Sequence, residues 1–168
     1  MEAISTSYLS RAETWLFITT LTYFLMNGAQ LFETAVLVPK WTAAPPESLQ
    51  LLRGKHGLDL KTFWIVIHSL HEITFILAVI FCWKLAPIRN GLLLLFMVHV
   101  AVRVWTLGYF APMILKFQNT EDLTQIPDLL RQTTLWRTLN YLRVGIFLAV
   151  SLGLIPLCLS MMTMKAGR

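Results

Sequence analysis

The stretch "FWIVIHSLHEITFILAVIFCW", Phe63–Trp83, decides the fold. A hydrocarbon core of about 30 Å needs about 20 apolar residues rising 1.5 Å each, and this stretch meets that length. It nevertheless carries His68, His71 and Glu72. Taken as residues 62–83, it has three counterparts of similar length and character, at 15–38, 91–112 and 135–159. The 168-residue chain is 56% hydrophobic and 14% charged, with a mean hydropathy of +0.62. Those values are too apolar for a soluble domain of this size. The expectation is an all-α integral membrane protein, multi-pass and localised to a membrane. Residues 1–168 form a single transmembrane domain, a four-helix bundle whose surrounding partner is the lipid bilayer.

The first apolar stretch follows Arg11 and Glu13, exceeds the length of a secretory signal and has no small-residue cleavage pattern behind it, so it reads as a retained helix. Trp15, Trp41, Trp64, Trp83 and Trp136 fall near span ends, where indole favours the interface, while Trp105 lies deeper. Four crossings place both termini and the loop "KLAPIRN" (84–90) on one side, side A, and the two longer loops on side B. Side A carries Arg11, Lys84, Arg89, Lys165 and Arg168; side B carries Lys40, Arg53, Lys55, Lys61, Lys116, Arg131 and Arg137, offset by acids. The short loop without acids places the termini in the cytoplasm.

The net charge of +5 sits mostly at span ends, where anionic headgroups account for it, so nucleic acid is not an expected partner. Cys82 and Cys158 form no C-x-x-C and read as inert apolar thiols rather than a redox pair. On side B, "PPESLQLLRG" opens at Pro46 and stops at Gly54, and "IPDLLRQ" opens at Pro127. Each predicts a short interfacial helix, serving either as a connector or as a lid. In the fourth span Gly145, Ala149 and Gly153 recur every four residues, a stripe that suits packing within the bundle or a homodimer contact.

Ionisable groups in a span cost on the order of 2.5 to 3.5 kcal/mol each and demand partners. The spans carry Asn27, Gln30 and Glu33; His68, His71 and Glu72; His99 and Arg103; and Asn140 and Arg143. Counted from side B at 1.5 Å per residue, Glu33 and His68 lie roughly 8 to 9 Å deep. Gln30, His71, Glu72, Arg103 and Arg143 lie roughly 12 to 15 Å deep, and His99 about 20 Å. Spacings of three and four keep each helix's polar groups on one face. Turned inward, these faces predict a polar pocket in the side B half, with Glu33 and Glu72 neutralising Arg103 and Arg143. Helix registration by buried ion pairs is the alternative reading of the same residues.

The segment "LWRTLNYLR" spaces Trp136, Asn140 and Arg143 as W-x-x-x-N-x-x-R. Together with "NGAQLFETAVLVPKW" in the first span, it resembles the anthrone oxygenase-like family of small four-helix membrane proteins, over Thr22 to about Leu157. The resemblance implies a four-helix membrane frame and oxygenation of a fused-ring phenolic substrate to a quinone. It carries over Asn140 and Arg143, with Trp136 as an anchor. His68, His71 and Glu72 match no pattern of that family.

The expected function is therefore that of a membrane oxidoreductase, a monooxygenase-like enzyme acting on a hydrophobic aromatic small molecule of phenolic or quinol type. His68, His71 and His99 are the candidates for proton transfer, since imidazole titrates near neutrality. Arg103 and Arg143 would hold a substrate anion, with Asn140 and Gln30 as hydrogen-bonding groups and Glu33 and Glu72 balancing charge. No cofactor and one transition metal stand level, with His68, His71, His99, Glu33 and Glu72 as candidate ligands. "HSLHE" is not the H-E-x-x-H of zinc peptidases. Haem between His71 and His99 ranks below both, given about 6 Å between their depths. Two other classes stay open: a non-catalytic binding or transport protein, and an accessory subunit of a membrane complex whose polar layer serves assembly.

Overall fold

The computed structural model describes residues 5–53, 57–58, 60–119 and 126–167. The expected helix stop at Gly54 and the side charges Lys55 and Arg168 lie outside them. Every regular element among the described residues is helical. Helix α1 (Thr6–Phe32) starts at Ser5, whose extended backbone and side-chain oxygen, 3.2 Å from the Tyr8 amide, cap it. It continues through a π-helical segment (Glu33–Leu37) into α2 (Val38–Trp41). A 3₁₀ segment (Glu47–Leu52) follows, then α3 (Lys61–Phe81) and α4 (Ala86–Trp105). Helix α4 runs through a second π-helical segment (Thr106–Phe110) into α5 (Ala111–Asn119), and α6 (Ile126–Ala166) closes the chain.

Both π-helical segments share a cause in the sequence. Each ends just before a proline, Pro39 or Pro112. A proline has no amide hydrogen and its ring collides with the carbonyl four residues back. Widening the preceding turn by one residue takes up that misfit without ending the helix. Accordingly, the Val38 amide donates to the Glu33 carbonyl and the Ala111 amide to the Thr106 carbonyl, each five residues back.

Helix α1 packs against α3 and α6, and α4 packs against α3 and α6, which sets the four long helices in a ring. At side A, Leu9, Leu16, Phe75, Ile88, Leu92 and Leu154 form one apolar core. At side B, Val38, Trp41, Leu49, Phe110, Phe117 and Trp136 form a second. The expected polar side chains lie between the two. The Glu13–Lys165 ion pair and the 3.0 Å bond from the Lys84 amide to the Tyr8 hydroxyl tie both termini and the α3–α4 turn to the same end.

Among the described residues, three helices are long and apolar enough to cross a membrane: Lys61–Phe81, Ala86–Asn119 and Pro127–Ala166. The first of the four expected spans, 15–38, lies in a helix of sufficient length that falls short in apolarity. The reason is its inner face, where Thr19, Asn27 and Gln30 are buried against the other helices. The two expected interfacial helices also resolve differently. "PPESLQLL" forms a 3₁₀ segment, whereas "IPDLLRQ" is the opening of the 41-residue α6. No glycine or proline separates Gln132 from Leu135, so nothing in the chain interrupts that helix.

The small-residue stripe divides. A Cβ on Gly153 would stand 2.8 Å from the Leu95 side chain, so Gly153 serves the close α4–α6 approach. Gly145 has open space where its Cβ would be, and Ala149 beside it is exposed.

Candidate functional site

A cavity of about 250 Å³ lies between the ring of helices and Leu52, Leu58 and Leu60. Gln30 and Glu33 enter it from the α1 end, Trp64 and His68 from α3, Arg103 from α4, and Trp136 and Arg143 from α6. Thr106, Leu107 and Phe110 of the second π-helical segment complete that wall, and the three leucines cover it. Both widened turns thus contribute directly to the cavity, Glu33 from one and three residues from the other. Such turns are over-represented at functional sites because they re-aim side chains within a continuing helix.

The two guanidinium groups are held differently. Arg103 Nε donates to Glu72 Oε1 at 2.6 Å, in a pair only partly buried, with Glu72 35% exposed. Arg143, 8% exposed, donates to Asn140 Oδ1 at 2.7 Å and lies 4.4 Å above the Phe110 ring. Asn140 in turn donates to the Thr34 hydroxyl at 3.0 Å. Cation–π contact and a planar fork of donors both suit arginine at this position. Glu33 lies in the field of Arg143 and beside Trp64 without bridging the guanidinium directly. Of the two expected charge pairs, Glu72 with Arg103 is thus an ion pair, while Glu33 acts on Arg143 at a longer distance.

Among the described residues, three buried atoms on cavity-lining residues have no hydrogen-bond partner, Gln30 Oε1, His68 Nδ1 and Arg143 Nε, and the same holds for Asn27 Oδ1, His71 Nε2 and His99 Nε2 below the cavity. Buried polar atoms are almost always partnered, so the three from α1, α3 and α6 leave the cavity able to make polar contacts with an occupant.

Beneath the cavity lies an enclosed aromatic layer. The ring centroids of His68 and His71 are 5.4 Å apart, and those of His71 and His99 are 4.8 Å apart, edge to face. The Tyr23 hydroxyl is 3.0 Å from His99 Nδ1, and His99 Nε2 is 3.8 Å from Glu72 Oε1. The Tyr23 hydroxyl and His99 Nδ1 share a hydrogen bond, whereas the Glu72 carboxylate at 3.8 Å is beyond hydrogen-bond reach of Nε2. His71 Nδ1 lies 3.2 Å from the Ile67 carbonyl, which only accepts, so Nδ1 carries the proton there. The bonded pair of Tyr23 and His99 thus lies beside the Glu72–Arg103 ion pair, whose arginine lines the cavity.

Of the nine residues singled out in the sequence, Gln30, Glu33, His68, Arg103 and Arg143 line the cavity. Glu72 and Asn140 stand behind the two arginines as their partners, and His71 and His99 lie in the layer below. Among the described residues, no three His, Cys, Asp or Glu side chains are grouped so as to hold a metal ion. The edge contact of His71 with His99 leaves no gap between them for a porphyrin plane.

Sequence reasoning missed Tyr23, Thr34 and Phe110; Trp136 was expected as an anchor of the last helix and Trp41 at a span end, and both line the cavity beside Phe110. Tyr23 had a signal: with Asn27, Gln30 and Thr34 it continues one α1 face at spacings of four, three and four. Comparison with known proteins matched no family model, no curated protein and no solved structure.

Proposed function

We propose that the chain is a multi-pass membrane protein, a four-helix bundle with α1 as its fourth crossing, which oxidises a small hydrophobic aromatic molecule of phenol or quinol type in the cavity. Support for the fourth crossing comes from the way α1 sorts its side chains. Thr19, Asn27 and Gln30 point inward, while Phe17, Leu25 and Phe32 are exposed on the outside. Lipid is the solvent that such an apolar exterior suits.

One observation carries the functional reading: the same cavity is lined by Trp41, Trp64, Phe110 and Trp136 and by Gln30, His68, Arg103 and Arg143. Aromatic faces suit a flat ring, and the polar groups suit a hydroxyl or oxyanion on that ring. The volume of about 250 Å³ falls just below the usual range of about 300–1,000 Å³ for ligand pockets, which limits the occupant to a small ring system. In the proposed reaction His68 accepts a proton from the substrate, and Arg103 and Arg143 hold the resulting oxyanion. The resemblance to the anthrone oxygenase-like family implies a fused-ring phenol. For that substrate, a ring methylene becomes a carbonyl as dioxygen is reduced, with one oxygen atom kept by the ring and the other leaving as water.

The test uses the purified chain in nanodiscs with anthrone as probe. Saturable quenching of tryptophan fluorescence, together with oxygen uptake, is the expected result. His68→Ala should keep the quenching and lose the uptake, and Arg143→Leu should lose both. A non-catalytic binding or transport role is the second reading, favoured by the contacts that hold both guanidinium groups in place. Quenching without oxygen uptake selects it, and absence of quenching rejects both.

A further inference from the structure

The cavity reaches the outer surface of the protein sideways. Ile65 on α3, Leu107 in the π-helical segment and Leu115 on α5 all line it, yet they are 56%, 62% and 49% exposed. Such exposure of lining side chains marks where the cavity is open to the outside. The cavity and the apolar exterior therefore meet along the seam between the first turns of α3 and the α4–α5 rod. The order of residues along the seam is graded. On one edge Ile65 precedes His68 by three residues, and on the other Leu107 follows Arg103 by four. Each edge thus passes from an exposed apolar side chain to a polar one within a single helical turn. The volume of about 250 Å³ accommodates a ring head, and the exposed apolar edges of the seam offer a chain on that ring a path outward.

We infer that the occupant is an amphiphile, a phenol- or quinol-type ring bearing an alkyl or isoprenoid tail. The ring sits in the cavity against His68, Arg103 and Arg143, and the tail leaves through the seam into the surrounding lipid. The head of this molecule rests on the function proposed above; the tail rests on the seam alone. The bilayer is then the source of the substrate, and contact of the tail with Ile65, Leu107 and Leu115 adds affinity in proportion to the apolar area it covers.

The experiment compares hydroquinone with decylhydroquinone on the chain in nanodiscs, read by tryptophan quenching. Two variants, Leu107→Trp and Ile65→Trp, place bulk in the seam at exposed positions that tolerate it. The measured quantity is the affinity change caused by each variant for the tailed probe divided by that for the tailless one, a ratio from which partitioning into the membrane cancels. A ratio of about tenfold against the tailed probe is expected. A ratio near one in both variants overturns the seam and leaves ring binding in place. If the unaltered chain quenches with neither probe, the underlying functional reading fails instead.

Discussion

Arg143 is the residue on which most contacts of the cavity wall converge. It bonds Asn140, lies over Phe110 and presents an unpartnered Nε. Arg143→Lys should fail to restore probe binding, because a single ammonium cannot reproduce a planar fork stacked on a ring; fluorescence titration checks this. Tyr23→Phe keeps the ring packing and deprives His99 Nδ1 of its hydrogen-bond partner. Leaving one buried polar atom unpaired costs about 1–3 kcal/mol, so a lower Tm in detergent is expected, with helix content retained by circular dichroism. Glu72→Gln removes the charge that neutralises Arg103. The bundle should lose stability while benzoate, as an anionic probe, binds more tightly; weaker binding would mean that the pair positions Arg103 rather than masking it. At this scale much of the site was legible. Ionisable side chains are rare in apolar stretches, so His68, Arg103 and Arg143 stand out without any structure. Tyr23 and Thr34 did not, because hydroxyls are common in such helices and only their partners give them a role.

The elements were legible as helices and less so in their detail. Periodicity and length identify α3, α4 and α6, yet neither signals a turn widened by one residue. Pro39 and Pro112 were the available marks, and they read equally well as helix ends. Replacing Pro39 or Pro112 by alanine restores the missing amide and removes the ring clash, so the widened turn should relax to α-helix. Side chains on one side of the turn would then rotate by about 100° relative to the other, moving Glu33 or Phe110 off the cavity wall. Retained helix content with lost tryptophan quenching is the expected result, and retained quenching would show that the π-helical segments do not aim those side chains. The run "IPDLLRQ" teaches a related lesson. Its opening signal at Pro127 was correctly placed, but a start alone does not set where a helix ends, and without a stop it became the first turns of α6.

Across the whole molecule the apolar surface is turned outward. Leu94, Met97 and Val104 on α4 are each more than 60% exposed, while His99 on the same helix is 1% exposed. If the helices cross a bilayer as proposed, Arg89→Cys and Gln118→Cys, at opposite ends of the α4–α5 rod, should be labelled by an impermeant maleimide from opposite sides of a reconstituted vesicle. Labelling of both from one side would reject the crossing. The amino-acid sequence by itself determined the helical class and the identity of most polar groups, and it marked four apolar stretches, three of which lie in helices long and apolar enough to cross a membrane, because hydropathy and periodicity are local properties carried by the residues themselves. Only the tertiary structure decided that Glu72 takes Arg103, that Asn140 takes Thr34, and that His71 and His99 sit beneath the cavity rather than in it. Those pairings depend on the rotation and relative height of separate helices, which contacts between distant parts of the chain set and which no single segment encodes.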